Sequence, residues 1–241
     1  LKFKPLPHQI QAINKTAKYF EKEDNGQLIM ACGSGKTLTS FWITKKIKAE
    51  KVLFLAPSIS LLAQTLSVWL RNSENRNKNF FVVCSDNTAG ANEDSEFVSD
   101  YDFPSTTNSK DIADFISTNE SFTIFSTYHS SNTVFKEVAK NKVNFDLTIC
   151  DEAHRLTGKV NDEYGSVLKK TFPTSKKLFM TATPRIISYG IKKAAEGREI
   201  ELVSMDDEKL FGTVIYELTF GEAIEKQLLA DYKIIITGVS N

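Results

Sequence analysis

The sequence predicts an α/β domain built on a mostly parallel central sheet with helices on both faces. Three observations carry this. Short apolar runs recur at 27–30, 51–56, 80–84, 121–126, 145–150 and 176–180. Stretches with helical spacing separate most of them, the alternation expected of parallel strands joined by crossover helices. The unusual polar groups stand just after these runs: Gly-Ser-Gly-Lys-Thr at 33–37, Asp-Glu-Ala-His at 151–154 and Thr-Ala-Thr-Pro at 181–184. Open parallel sheets bind ligands beyond the carboxyl ends of their strands, so one sheet edge should gather all three.

Size and composition bound the reading. The 241 residues suffice for one large α/β domain or two small ones. Hydrophobic residues are 41% and charged residues 25%, as in ordinary globular proteins. No apolar run approaches a membrane span, and Leu1-Lys2-Phe3-Lys4 lacks the apolar stretch of a signal peptide. The chain begins without Met, which points to a piece of a longer protein. The 30 basic and 30 acidic side chains cancel, so any nucleic-acid contact must be a local surface. Cys32, Cys84 and Cys150 fit no zinc spacing, and so sparse a set suits a reducing cytoplasm. Cys84 and Cys150 end apolar runs and read as buried thiols. Cys32 is either a modifiable thiol or an inert small residue.

Taken in order, the chain opens with Pro5 and Pro7, then Ile10, Ala12, Ile13, Ala17 and Phe20 at helical spacing. Asp24-Asn25-Gly26 is a turn before the first strand. A helix follows the glycine turn from near Lys36, and Lys45, Lys46 and Lys48 suit its C-terminus. After the second strand, Pro57-Ser58 starts a helix to about Leu70. Residues 85–110, rich in Ser, Asp, Asn and Thr, read as a long loop. Helices are predicted at 109–118, from 131 to about Lys140, and near 162–171. Beyond 191 the pattern weakens to a strand at 212–217, a helix at 220–230 and a strand at 232–238.

The turn at 33–37 carries the first chemistry. Gly33 and Gly35 permit backbone angles that aim successive amides into one concavity, and the following helix N-terminus adds its own N–H groups. Lys36 supplies a point charge for terminal phosphates, and the Thr37 hydroxyl is placed for magnesium. Met30 stands where the full phosphate-loop pattern has glycine. A Gly/Ser turn can also bind nothing, and the later motifs decide between the two. Asp151 follows an apolar strand, as a magnesium-holding acid does, and Glu152 is a candidate base for orienting water. We expect their strand to neighbour that of the phosphate turn. His154 lacks partners at metal spacing and is read instead as a hydrogen-bond link to Thr181 and Thr183. Gln9 carries the donor and acceptor pair that matches the edge of adenine.

Gly-Ser-Gly-Lys-Thr, Asp-Glu-Ala-His and Thr-Ala-Thr-Pro, in this order, resemble motifs I, II and III of superfamily 2 helicases and translocases of the DEAH type. The resemblance implies a RecA-like P-loop NTPase domain over residues 1–220. Residues 221–241 would begin the segment toward a second such domain. It also implies ATP and Mg2+ as ligands, with Gly33, Ser34, Gly35, Lys36 and Thr37 on phosphates and magnesium, and Asp151 and Glu152 as magnesium acid and catalytic base. Gln9 matches the family's adenine-reading glutamine, although Leu6 and His8 stand where many members have Arg and Tyr. Residues 56–65 resemble motif Ia, which implies nucleic-acid backbone contacts by Pro57, Ser58, Gln64 and Thr65; Thr127 lies in a further such segment.

Within the superfamily, the wording of these motifs is similar to restriction–modification motors, above all the single-polypeptide type I (type ISP) enzymes. That resemblance implies a double-stranded DNA translocase. Its partners would be a second RecA-like domain, which supplies paired arginines to the ATP site, and nuclease and methyltransferase parts of the same parent chain. A strand-separating DNA or RNA helicase and a non-hydrolysing ATP sensor are the alternatives, and Glu152 speaks against the sensor.

Overall fold

The computed structural model describes residues 3–73, 79–85, 105–159, 166–198 and 200–231. Its strands are β1 (Asn25–Met30), β2 (Lys51–Ala56), β3 (Phe80–Val83), β4 (Phe122–Thr127), β5 (Leu147–Cys150), β6 (Gly158–Lys159), β7 (Lys177–Thr181), β8 (Leu202–Val203) and β9 (Thr213–Leu218). The longer helices are α1 (Pro7–Tyr19), α2 (Lys36–Lys46), α3 (Ile59–Asn72), α4 (Ser109–Thr118) and α5 (Ser131–Lys140). Among the described residues, seven strands form one sheet in the order β3-β4-β2-β5-β7-β1-β9. Every neighbouring pair is parallel. β6 and β8 form a separate antiparallel pair.

Burial on both faces explains the unbroken apolar runs. In β2, Val52, Phe54 and Ala56 enter one core with residues of α1, α2 and α3, while Leu53 and Leu55 enter the other with α4 and α5. Successive side chains of a strand point to opposite faces, so a strand covered on both sides is apolar at nearly every position. Trp69 anchors the first core with its ring edge-on to Phe41, Phe54 and Phe125. Its indole N–H donates to the Thr37 carbonyl at 3.2 Å, which ties α3 to the start of α2.

Four expectations change. β7 lies between β1 and β5, so the strand of Asp151 is not the immediate neighbour of the phosphate turn's strand. Strand order follows from long-range pairing, which local pattern does not encode. The helix near 162–171 is represented among the described residues by a single 3-10 turn at Ser166–Leu168, which buries Val167. The helix at 220–230 stops at Glu225, soon followed by Gln227 in the left-handed region at φ 55°. Within α1, Ile10 is exposed while His8, Gln9 and Thr16 are buried, because the helix turns its polar start toward the glycine turn. The expected loop falls largely, and the expected strand at 232–238 wholly, outside the described residues.

Candidate nucleotide site at the carboxyl edge of the sheet

The glycine turn is held from two sides. Gly33 and Gly35 lie in the left-handed region, at φ 81° and 87°, where a side chain is strained. From α1, His8 Nε2 pairs with the Ser34 carbonyl at 2.9 Å and Gln9 Nε2 donates to the Gly35 carbonyl at 3.2 Å. Gln9 Oε1 meanwhile accepts from the Leu6 amide at 2.8 Å and closes the first turn of α1. A Cβ at Gly35 would run into Gln9 Nε2 and displace that amide, in addition to straining the backbone angle. Ser34 is buried and its hydroxyl donates to the Ala31 carbonyl at 2.7 Å, an internal brace of the turn.

Lys36 opens α2, and its side chain turns back over the turn it follows. Nζ donates to the Met30 carbonyl at 3.3 Å, lies 4.0 Å from Cys32 Sγ and reaches Glu152 Oε1 at 4.0 Å. A lysine from β1's turn and a glutamate from β5's end therefore meet although β7 separates their strands. The Thr37 hydroxyl makes no hydrogen bond among the described residues, leaving its oxygen free for a ligand.

Asp151 and Glu152 end β5 in contrasting settings. Asp151 is buried, and its Oδ1 has no hydrogen-bond partner among the described residues. Burial, then the adjacent Glu152 charge, push its carboxyl up from 3.8 to about 6, against the pull of Lys36. An orphaned, buried carboxylate oxygen beside a lysine and a free threonine hydroxyl is a donor set that a hard divalent cation fits. Glu152 sits in the left-handed region at φ 49°. Its Oε2 is 3.4 Å from His154 Nδ1. The same nitrogen lies 2.9 Å from Thr181 Oγ1, at the end of β7. Thr181 Oγ1 also accepts from the Thr183 amide at 3.1 Å. Thr183 thus joins through its backbone while its side chain is exposed.

The remaining sequence-selected residues lie farther along the same edge, after β2 and β4. Pro57 and Ser58 are half-buried and Gln64 is exposed. Thr65 and Thr127 are buried, and Thr127 Oγ1 donates to Ser130 Oγ at 3.2 Å. Three contributors escaped the sequence reading: His8, seen there only as a departure from tyrosine, the Trp69 indole, and the Tyr128 hydroxyl, which donates to the Asp151 carbonyl at 2.8 Å. An aromatic residue gives no sign in sequence that its polar tip will reach a site.

The profile of the family described as "Type III restriction enzyme, res subunit" matches residues 2–186. The chain belongs to this family. Family membership agrees with the type ISP resemblance. The solved type ISP restriction–modification enzyme LlaBIII, bound to DNA, is 32% identical over 97% of this chain, with a TM-score of 0.80. The type ISP enzyme LlaGI, solved with a DNA substrate mimic, is 31% identical over 94% of the chain, with a TM-score of 0.73. A viral relative, the "Probable helicase A859L" of African swine fever virus (Pretoriuskop isolate), is 30% identical over 228 residues. The chain spans only 16% and 21% of the two solved chains and 23% of the viral relative. No helix among the described residues is long and apolar enough to cross a membrane.

Proposed function

We propose that this chain is the ATP-binding half of a DNA-stimulated ATPase motor, a double-stranded DNA translocase of a restriction–modification enzyme. One observation carries the reading. The Lys36 ammonium, the Glu152 carboxylate and the orphaned Asp151 oxygen converge at the mouth of a glycine turn, from two pieces of sequence more than a hundred residues apart. Lys36 and the turn amides hold the terminal phosphates of ATP. Thr37 and Asp151 hold magnesium, which when bound offsets phosphate charge as a Lewis acid. Glu152 takes the proton of the attacking water, and its angle to Lys36 and His154 fixes where that water is accepted. Gln9, already bonded through one amide hydrogen and one lone pair, keeps a second of each for adenine. His154 and Thr181 carry a change at Glu152 to β7 and the Thr183 backbone.

The DNA-facing side is the carboxyl edge after β2 and β4. Pro57, Ser58 and Gln64 present surface groups to a backbone, while Thr65 and Thr127 support them from inside. Residues 1–220 form the motor domain and 221–241 lead toward its second half, which supplies the arginines that complete the site. Nuclease and methyltransferase parts belong to the same parent chain, in the cytoplasm. The viral relative's name favours strand separation as the second reading.

Paired variants test the assignment. Lys36→Ala should abolish nucleotide binding, whereas Glu152→Gln should keep it and lower turnover of the full-length protein by about two to four orders of magnitude. Turnover that survives Glu152→Gln would show that Glu152 is not the catalytic base, whereas a full-length protein that binds ATP without any turnover would leave the sensor reading. The isolated 241 residues should hydrolyse ATP poorly; vigorous DNA-stimulated turnover by them would contradict the half-site.

A further inference from the structure

β4, β2 and β5 are consecutive in the sheet, and their carboxyl ends are level: Ala56 pairs with Thr127, and Leu55 with Cys150. The first two ends carry the proposed DNA-facing segments; the third carries Asp151 and Glu152. Tyr128 spans all three. It leaves β4 immediately after Thr127, its amide donates to the Ala56 carbonyl at 3.0 Å, and its hydroxyl crosses β2 to the Asp151 carbonyl at 2.8 Å. Its side chain is fully buried. Behind it, Ser131 Oγ donates to the Tyr128 carbonyl at 2.6 Å and fastens the start of α5 to the same residue.

The bonded carbonyl belongs to the peptide between Asp151 and Glu152. Glu152 already sits in the left-handed region, where the backbone does not stay without support. A rotation of that peptide re-aims the Glu152 carboxylate relative to Lys36 and His154, and shifts the orphaned Asp151 oxygen.

We infer that Tyr128 is a positioning residue that couples DNA contact to ATP hydrolysis, by transmitting displacement of the segments after β2 and β4 to the Asp151–Glu152 peptide. The inference rests on the proposed reading of the site as a DNA-stimulated ATPase. One residue thus bonds β2 through its backbone amide and the end of β5 through the hydroxyl of its buried ring, a short mechanical path, whereas the His154–Thr181 link leaves the site on the opposite side, toward β7 and β1.

The test is Tyr128→Phe in the full-length protein, which keeps the ring and removes the hydroxyl. The ratio of DNA-stimulated to DNA-free ATPase rate should fall about three- to tenfold, the range that one neutral hydrogen bond supports. Affinity for a fluorescent ATP analogue should change less than about twofold, since the phosphate turn is untouched. Val134→Ala, in α5 and in the same core, is the packing control. It should lower the melting temperature at least as much and leave the ratio intact. A preserved ratio in Tyr128→Phe, including one in which both rates fall in proportion, would overturn the role. So would an equal fall of the ratio in Val134→Ala, which would assign the effect to core packing. A wild-type protein with no DNA stimulation would sink the motor reading and this inference together.

Discussion

Asp151→Asn should make the nucleotide-free chain more stable at neutral pH while destroying its activity. The native carboxyl is pushed from 3.8 to about 6, chiefly by burial and next by Glu152. In that window the native state holds its proton more tightly than the unfolded chain does. Raising the pH from near 4 through about 6 therefore favours unfolding, and at pH 7 the ionised side chain destabilises the fold by about 3 kcal/mol. Asparagine removes the charge and keeps an acceptor, but it adds buried N–H donors that cost about 1–2 kcal/mol. The net expectation is a gain of about 1–2 kcal/mol at pH 7 and none at pH 4.5, where most of the penalty is already relieved by protonation. Urea unfolding of both proteins at the two pH values, without nucleotide or magnesium, reads the difference. Magnesium with ATP should then stabilise the wild type and not the variant. If Asp151→Asn is no more stable at pH 7, or if its advantage is equal at both pH values, then Asp151 is not a strained, buried carboxylate awaiting a cation.

Three further outcomes follow from the same geometry. Gly35→Ala combines a left-handed φ, costing about 1–2 kcal/mol, with displacement of Gln9. It should lower the melting temperature and abolish nucleotide binding, and a variant that still binds ATP normally would show that the turn is not held by α1. Cys32 is exposed beside Lys36 whereas Cys84 and Cys150 are buried. A maleimide should therefore label one thiol of the native chain, by mass spectrometry, and ATP should slow that labelling; equal rates with and without ATP would place the nucleotide elsewhere. Thr181→Val should keep nucleotide affinity but lower DNA stimulation of the full-length protein severalfold, because it frees His154 Nδ1 and the Thr183 amide together. An unchanged stimulation would leave His154 a purely local neighbour of Glu152.

The motifs were legible because their chemistry demands particular residues in short spacing. Gly33, Gly35, Lys36 and Thr37 make sense only as a turn followed by a helix, and that is how they fold. The strands were legible because two-sided burial makes them predominantly apolar, with only scattered buried polar residues such as Gln27, Thr123 and Thr148. What the sequence does not encode locally is which strands pair. The insertion of β7 between β1 and β5 depends on contacts such as Leu28 with Met180 and Ile149 with Leu178, and any apolar strand satisfies these equally in a one-dimensional reading. Residue type also misled where a site overrides amphipathicity. In α1, Ile10 faces out and His8 and Gln9 face in, because two carbonyls of the glycine turn need donors. The rise at Asp151 was equally hidden, since an Asp-Glu pair carries no record of which carboxylate the fold will bury.

The central claim is that these residues form half of an ATP site driven by duplex DNA. It is tested most directly by the ATPase rate of the full-length protein on intact circular duplex DNA, with strand separation followed in the same reaction. The account predicts strong stimulation by the closed duplex, no strand separation, and loss of the stimulation in Glu152→Gln. Stimulation by single strands alone would contradict the translocase in favour of a helicase. A rate indifferent to any nucleic acid would contradict the motor itself.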